Sequence, residues 1–254
     1  MMKIVVLASG SEGNSTYIET ENHKILFDLG MNLKYLTQKL EEINVHPREI
    51  DYVFISHCHK DHDSALKVFT NNYQPTICLS QTIFADLPDI DGYDHLMIYE
   101  DDLYFDDFRF ETLRTSHDTN DSRAFILTHQ NESVVYLTDT GYINQKYYPK
   151  LKNKTYYLFE SNHDTEKLMN GPYPSWLKAR VVGSYGHLCN QDCAYHLTKL
   201  IGPKTQKIVL MHLSKTNNTE KLALETITTV FKNHQLDFQN IEIAKQKEKL
   251  EVTK

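Results

Sequence analysis

Three imidazoles and one carboxylate fall within the short stretch Ile55-Ser56-His57-Cys58-His59-Lys60-Asp61-His62. Imidazole nitrogens with a carboxylate oxygen are the donor set of zinc, manganese or iron. On an extended segment alternate side chains share a face, so His57 and His59 are expected to project the same way. A turn into a helix opening at Asp61 or His62 then swings those two toward the same space. Two pairs of ligands this close point to two ions rather than one. The competing reading, a His-rich surface turn that binds nothing, is disfavoured by the strand that runs into the motif and by the partners found downstream.

Those partners are polar residues that follow the ends of apolar strands. His117 in Thr115-Ser116-His117-Asp118, Asp139 in Leu137-Thr138-Asp139-Thr140-Gly141 and His212 in Leu210-Met211-His212-Leu213-Ser214 all fit. The expected arrangement is His57, His59 and His117 on one divalent ion, Asp61, His62 and His212 on a second, and Asp139 bridging. Asp28, at the end of its own strand, could orient a ligating histidine from behind. The loop Ser9-Gly10-Ser11-Glu12-Gly13-Asn14 could cradle a phosphate, with Ser11 and Asn14 as contacts, although tight turns use the same residues.

The elements that must position these groups follow from periodicity. Residues 4–7, 15–19 and 24–28 read as strands of a β-meander, and Tyr52-Val53-Phe54-Ile55 reads as a buried strand leading into the motif. Leu33, Leu36, Leu40 and Ile43 recur at helical spacing, and Pro47 lies where that helix should have stopped. A helix is expected over 62–71 and a strand over 76–79. Residues 86–107, with Glu100-Asp101-Asp102 and Asp106-Asp107, read as solvated turns. Strands return at 108–113, 124–128 and 134–138, then at 156–159 and 207–210, with helices over 190–201 and 219–234. Two β-rich halves, each followed by helices, fit one α+β domain: a four-layer αββα sandwich.

Composition bounds the function. The chain has 254 residues and a formal net charge of −7. That balance argues against coating nucleic acid by bulk electrostatics. It does not exclude a nuclease, because two divalent ions concentrate positive charge where a phosphate must sit. No apolar run approaches the ~20 residues of a membrane span. The segment Met1-Met2-Lys3-Ile4-Val5-Val6-Leu7 reads as a first strand rather than a signal peptide. Cys58, Cys78, Cys189 and Cys193 are expected as reduced thiols in a cytoplasmic protein, with Cys189 and Cys193 packing from a helix start.

The pattern His-x-His-x-Asp-His resembles the signature of the metallo-β-lactamase-fold hydrolases. Ser9-Gly10-Ser11-Glu12-Gly13-Asn14, Leu137-Thr138-Asp139-Thr140-Gly141-Tyr142, Glu160-Ser161-Asn162-His163-Asp164, Gly186-His187-Leu188-Cys189-Asn190 and His212-Leu213-Ser214-Lys215-Thr216-Asn217-Asn218 resemble the YycJ, WalJ or VicX family of Firmicutes, in the family's order. This resemblance implies a 5′-to-3′ double-stranded DNA exonuclease, more distantly related to the tRNA 3′-processing nucleases. It also implies that Glu160 and His187 assist proton transfer to the leaving oxygen. Cys58 and Lys60 inside the first motif, and Cys189 where Ser is usual, depart from the pattern at positions that are not ligands.

The expected chemistry is phosphodiester hydrolysis with two zinc or manganese ions, an aspartate rather than a cysteine at the bridging position, and Asp61 orienting the attacking water. DNA is the expected partner, no membrane is involved, and a homodimer is a candidate assembly. A cyclic-nucleotide phosphodiesterase, such as those some phages use against defence signals, is the alternative enzyme. A non-catalytic metal-binding regulator is the alternative of another class. The segment 167–180 carries Lys167, Lys178 and Arg180 with Tyr173 and Trp176. It reads either as a polymer-binding lip or as a loop packed by its aromatics.

Overall fold

The computed structural model describes residues 1–253. Its first half runs β1 (Lys3–Ala8), β2 (Ser15–Glu19), β3 (Lys24–Phe27), α1 (Leu33–Glu41), β4 (Tyr52–Phe54), α2 (Lys60–Asp63), α3 (Leu66–Tyr73), β5 (Thr76–Ser80), α4 (Gln81–Ala85) and β6 (Leu96–Tyr99). The second half runs β7 (Leu103–Tyr104), β8 (Arg109–Arg114), β9 (Arg123–His129), β10 (Glu132–Leu137), α5 (Tyr148–Leu151), β11 (Tyr156–Glu160), α6 (Thr165–Asn170), α7 (Ser175–Val182), α8 (Asn190–Leu200), β12 (Lys207–Met211), α9 (Glu220–Asn233), β13 (Ile241–Ile243) and β14 (Leu250–Glu251).

Two seven-stranded sheets result, ordered β14-β1-β2-β3-β4-β5-β6 and β13-β12-β11-β10-β9-β8-β7. Each begins as antiparallel hairpins and continues as parallel strands, β3 through β6 in one and β10 through β13 in the other. Alternation along the strands sets the layers. Val5 and Leu7 face outward to α1 and α3 residues such as Leu36, Leu40 and Phe69. Ile4 and Val6 face inward with Phe27 and Phe54, against Phe110, Phe125 and Tyr136 of the other sheet. The outer face of that second sheet is covered by Leu197, Ile227 and Phe231 of α8 and α9. The architecture is the expected four-layer αββα sandwich. Phe54 stacks on Phe110 across the layers with ring centroids 4.1 Å apart, a contact that contributes ~1 kcal/mol beyond simple burial.

Three local expectations change. The helix over 62–71 is two helices, because Ala65 N–H donates to the Leu29 carbonyl and the Ser64 hydroxyl to that of Gly30, which turns the chain between α2 and α3. The stretch 86–107 is less irregular than expected, because it holds β6 and β7, an edge strand of each sheet, while the charge runs 100–102 and 106–107 are the turns that flank β7. Some of its acidic groups are paired, Asp102 with Arg109 and Lys150, and Asp106 with His23. Residues 175–182 of the aromatic segment form α7 rather than a loop. Cys189 and Cys193 are free thiols, Cys193 buried against the second sheet and Cys189 capping α8.

Glycine is required at position 30. A Cβ there would lie 1.7 Å from the Asp61 carbonyl oxygen, so the loop after β3 can abut α2 only without a side chain.

Candidate metal centre

Parallel strands of both sheets end at one edge of the sandwich, and the polar residues follow them. His57 and His59 come after β4, and Asp61 and His62 lie in α2. His117 comes after β8, Asp139 after β10 and His212 after β12, while Glu160 closes β11. Asp28, Asp139 and His212 each take a left-handed backbone (φ 62°, 56° and 55°) within two residues of a strand end. A non-glycine residue there stores strain of about 1–3 kcal/mol. The turn aims each side chain back over the strand ends.

His57, His59 and His117 converge first, with one ligand atom of each within 4.8 Å of the others. His59 Nδ1 and His117 Nε2 stand 3.2 Å apart. His117 Nδ1–H donates to the Gly186 carbonyl at 3.1 Å, which leaves the lone pair on Nε2 facing His59. That separation is close to the ~3.3 Å expected of two nitrogens on one tetrahedral zinc. His57 Nε2 is buried with no hydrogen-bond partner. An orphaned buried acceptor costs ~1–3 kcal/mol, which a cation at this point offsets. The residues fit a divalent ion.

Asp61, His62, Asp139 and His212 form the adjoining cluster, on the same 4.8 Å measure. His62 Nε2 lies 3.0 Å from Asp139 Oδ2, and His212 Nε2 lies 3.3 Å from Asp61 Oδ2. The other carboxylate oxygen of Asp139 faces His117 Nε2 at 3.8 Å. Asp139 therefore stands between the two clusters.

Behind them sit residues that set orientation and charge. Fully buried Asp28 accepts from His62 Nδ1–H at 2.7 Å, from the Ser56 amide and hydroxyl at 2.8 Å each, and from the Tyr136 hydroxyl at 2.9 Å. His62 is thereby held with Nε2 toward Asp139. Glu160 Oε2 accepts from the Thr140 and Leu188 amides, while Oε1 lies 2.7 Å from His187 Nδ1 and 3.1 Å from His212 Nδ1.

Burial, then the neighbouring His62, pushes the His57 imidazole well below its usual range, so it stays neutral. Burial would do the same to His62, but Asp28, Asp139 and Asp61 outweigh it and hold its pKa well above that range. His187 is raised in the same way, Glu160 overcoming burial. Burial opposes the charge on Glu160, yet His187 and then His212 bring it down to about 2.

The cleft has a volume of about 380 Å³ and is lined by Ser11, Asp61, His117, Asp139, His187, Arg180 and His212 among others. Asn14 is not among them. It is fully buried: its Oδ1 accepts from Gly10 N–H at 2.8 Å, and its Nδ2 lies 3.1 Å from the Gly10 carbonyl and 3.0 Å from His62 Nε2. The side chain braces the loop against His62 of the metal centre and does not line the cleft. Lys178 also departs from expectation, because its ammonium donates to the Met169 carbonyl at 2.7 Å and ties α7 to α6 outside the cleft. Tyr173 and Leu177 reach the cleft, whereas Trp176 is 68% exposed on α7.

Sequence reasoning missed Asp118, which faces His117 at 3.4 Å and His59 at 3.7 Å and pairs with Arg180. Its place next to His117 was the available signal. It missed Tyr136 as well, an inward strand residue whose hydroxyl is legible only once the two sheets are stacked.

The family model of the metallo-beta-lactamase superfamily matches residues 8–168. The chain is 35% identical over 232 residues to the exodeoxyribonuclease WalJ of Streptococcus pneumoniae serotype 2, covering 89% of this chain and 86% of that protein. It is 30% identical over 230 residues to the exodeoxyribonuclease YycJ of Bacillus anthracis, covering 89% and 87%. The crystal structure of the metallo-beta-lactamase fold protein YhfI from Bacillus subtilis superposes with a TM-score of 0.75 at 18% identity, over 98% of this chain and 99% of that one. Human tRNase Z, short form, gives 0.66 at 14% identity over the whole of both chains. At such identities the likeness establishes the fold alone.

Proposed function

Because the chain belongs to the metallo-β-lactamase superfamily, and within it to the family of the WalJ and YycJ exodeoxyribonucleases, we propose that it hydrolyses DNA with divalent metal ions, as a 5′-to-3′ exonuclease on duplex ends. The observation that carries the reading is the position of Asp139, one carboxylate oxygen toward His62 and the other toward His117. In this assignment His57, His59 and His117 would hold one ion, Asp61, His62 and His212 a second, and Asp139 would serve both. Two ions, zinc or manganese, would supply concentrated positive charge and lower the pKa of a water near the phosphate.

The chain's own groups do the rest. Asp61 lies in the cleft wall beside His212 and orients the attacking water. His187 carries a proton, because Glu160 fixes Nδ1–H and favours the imidazolium. Nε2 is then the atom that donates to the departing oxygen, a role worth ~10²–10⁴ in rate. Ser11 and Arg180 stand in the wall where a phosphate backbone would pass. The net charge of −7 does not support the DNA reading and slightly favours a small substrate; for DNA, the attraction to phosphate must come from the cleft itself.

The experiment offers purified protein with Mn²⁺ or Zn²⁺ a 5′-labelled duplex, single-stranded DNA, RNA and cyclic mononucleotides. Release of mononucleotides from the 5′ end of the duplex is the expected result. Turnover confined to cyclic mononucleotides would overturn the assignment, and no turnover with metal bound would indicate a regulator.

A further inference from the structure

A second group of metal-type ligands lies away from the cleft and plays no part in the chemistry above. The turn between β2 and β3 carries His23, and β3 runs from there to Asp28 at the cleft, so the two ends are ~17 Å apart. The turn between β7 and β8, in the opposite sheet, brings Asp106 and Asp107 to the same point. His23 Nε2 lies 2.6 Å from Asp106 Oδ1 and 3.9 Å from Asp107 Oδ1. Asn22 holds the outer oxygens of both carboxylates, its amide N–H donating to Asp107 Oδ2 and its side chain to Asp106 Oδ2, each at 2.9 Å. Both Oδ1 atoms are thus left facing the imidazole.

Asp107 supplies an independent sign of a ligand. Its side chain is only 9% exposed, and the oxygen that faces His23 is buried with no hydrogen-bond partner. A buried carboxylate oxygen without a partner is costly. One imidazole cannot satisfy two carboxylates at once. The ring itself is fixed: Tyr52, Phe105 and Phe108 pack edge-on against it with centroids 5.3, 6.3 and 5.6 Å away. Its other nitrogen, Nδ1, faces Asp51 Oδ2 at 3.8 Å. An imidazole with one nitrogen toward a carboxylate and the other toward further oxygen ligands, here Asp106 Oδ1 within hydrogen-bond distance and the unpartnered Asp107 Oδ1, is the usual posture of a metal-bound histidine.

We propose that His23, Asp106 and Asp107 form a further divalent-cation site, which clamps the two sheets together at the end of the sandwich remote from the cleft. One ligand atom from each of the three lies within 4.8 Å of the others. One nitrogen and two carboxylate oxygens suit zinc or manganese, with solvent completing the shell. The ion neutralises the paired carboxylates and occupies the position that Asp107 Oδ1 leaves unsatisfied.

The test is elemental analysis after equilibrium dialysis against Zn²⁺ or Mn²⁺, with thermal unfolding of the same samples. Asp107→Asn keeps the shape and removes the charge; His23→Ala removes the nitrogen. Each variant is expected to hold one equivalent less than the unsubstituted protein, to lose part of the metal-dependent rise in Tm, and to keep its DNA hydrolysis. An unchanged metal count in Asp107→Asn overturns the proposal. So does a deficit that Asp139→Ala already produces and that Asp107→Asn does not add to, since the lost ion would then belong to the cleft.

Discussion

Glu160 Oε1 lies 2.7 Å from His187 Nδ1, with the carboxylate fully buried and the imidazole at the cleft wall. The anion holds the His187 pKa above the usual imidazole value against the effect of burial. A rate that needs protonated His187 is therefore full below that raised pKa and falls as pH rises through it. Glu160→Gln removes the anion, so the alkaline limb of the pH–rate profile should move to lower pH. His187→Ala should lose roughly 10²–10⁴ in kcat while keeping its metals. A limb that stays in place in Glu160→Gln would remove His187 as the proton donor.

Both clusters approach the carboxylate of Asp139. Asp139→Ala should lower metal content at both positions rather than one. Undiminished occupancy by elemental analysis would sink the shared-ligand assignment.

Asp28 acts through His62, which it holds by a 2.7 Å hydrogen bond while touching neither cluster's open face. Asp28→Asn keeps the volume but weakens the hold on the ring. Metal affinity, measured by competition with a chelator, should fall about 10–100-fold. If affinity holds and only folding stability falls, Asp28 has a purely structural role.

Arg180 and Lys178 are neighbours on α7 with different consequences. Arg180 lines the cleft beside Asp118, whereas the Lys178 ammonium is engaged with the Met169 carbonyl. Arg180→Ala should weaken duplex binding and reduce the salt slope by about one. Lys178→Ala should leave that slope where it was, with hydrolysis of a small chromogenic phosphodiester intact in both. Equal effects of the two substitutions on DNA would contradict the geometry.

His163, next to this network, is buried with Nδ1 unpartnered, and burial brings its pKa down to about 4. Between that value and the unfolded value near 6.5 the unfolded chain binds a proton that the native protein does not. The stability contribution is complete above ~6.5 and is lost as pH falls toward 4, with ~2.5 kcal/mol gone by pH 4.5. His163→Gln should flatten this decline. Urea midpoints at pH 7 and 4.5 measure it, and equal declines in both proteins would mean that His163 does not titrate in this range.

Much of the site was legible along the chain because the signals are local. A run of β-branched and aromatic residues ending in His-x-His-x-Asp-His announces a strand that delivers ligands, and Asp28, Asp139 and His212 each stand within two residues of a strand end. The alternation of Ile4, Val5, Val6 and Leu7 already separates the inner face from the outer one. Edge strands were not legible: β6, β7, β13 and β14 are short and half exposed, and their pairing depends on partners far away in sequence. Only the folded chain decided that Asn14 points inward and that the Lys178 ammonium is already engaged, because side-chain direction follows packing rather than residue type. The left-handed turns at Asp28, Asp139 and His212 belong to the same class. A sequence shows residues able to ligate; the ends of parallel strands in two stacked sheets bring them to one point, and only tertiary packing sustains the strained backbone that aims them there.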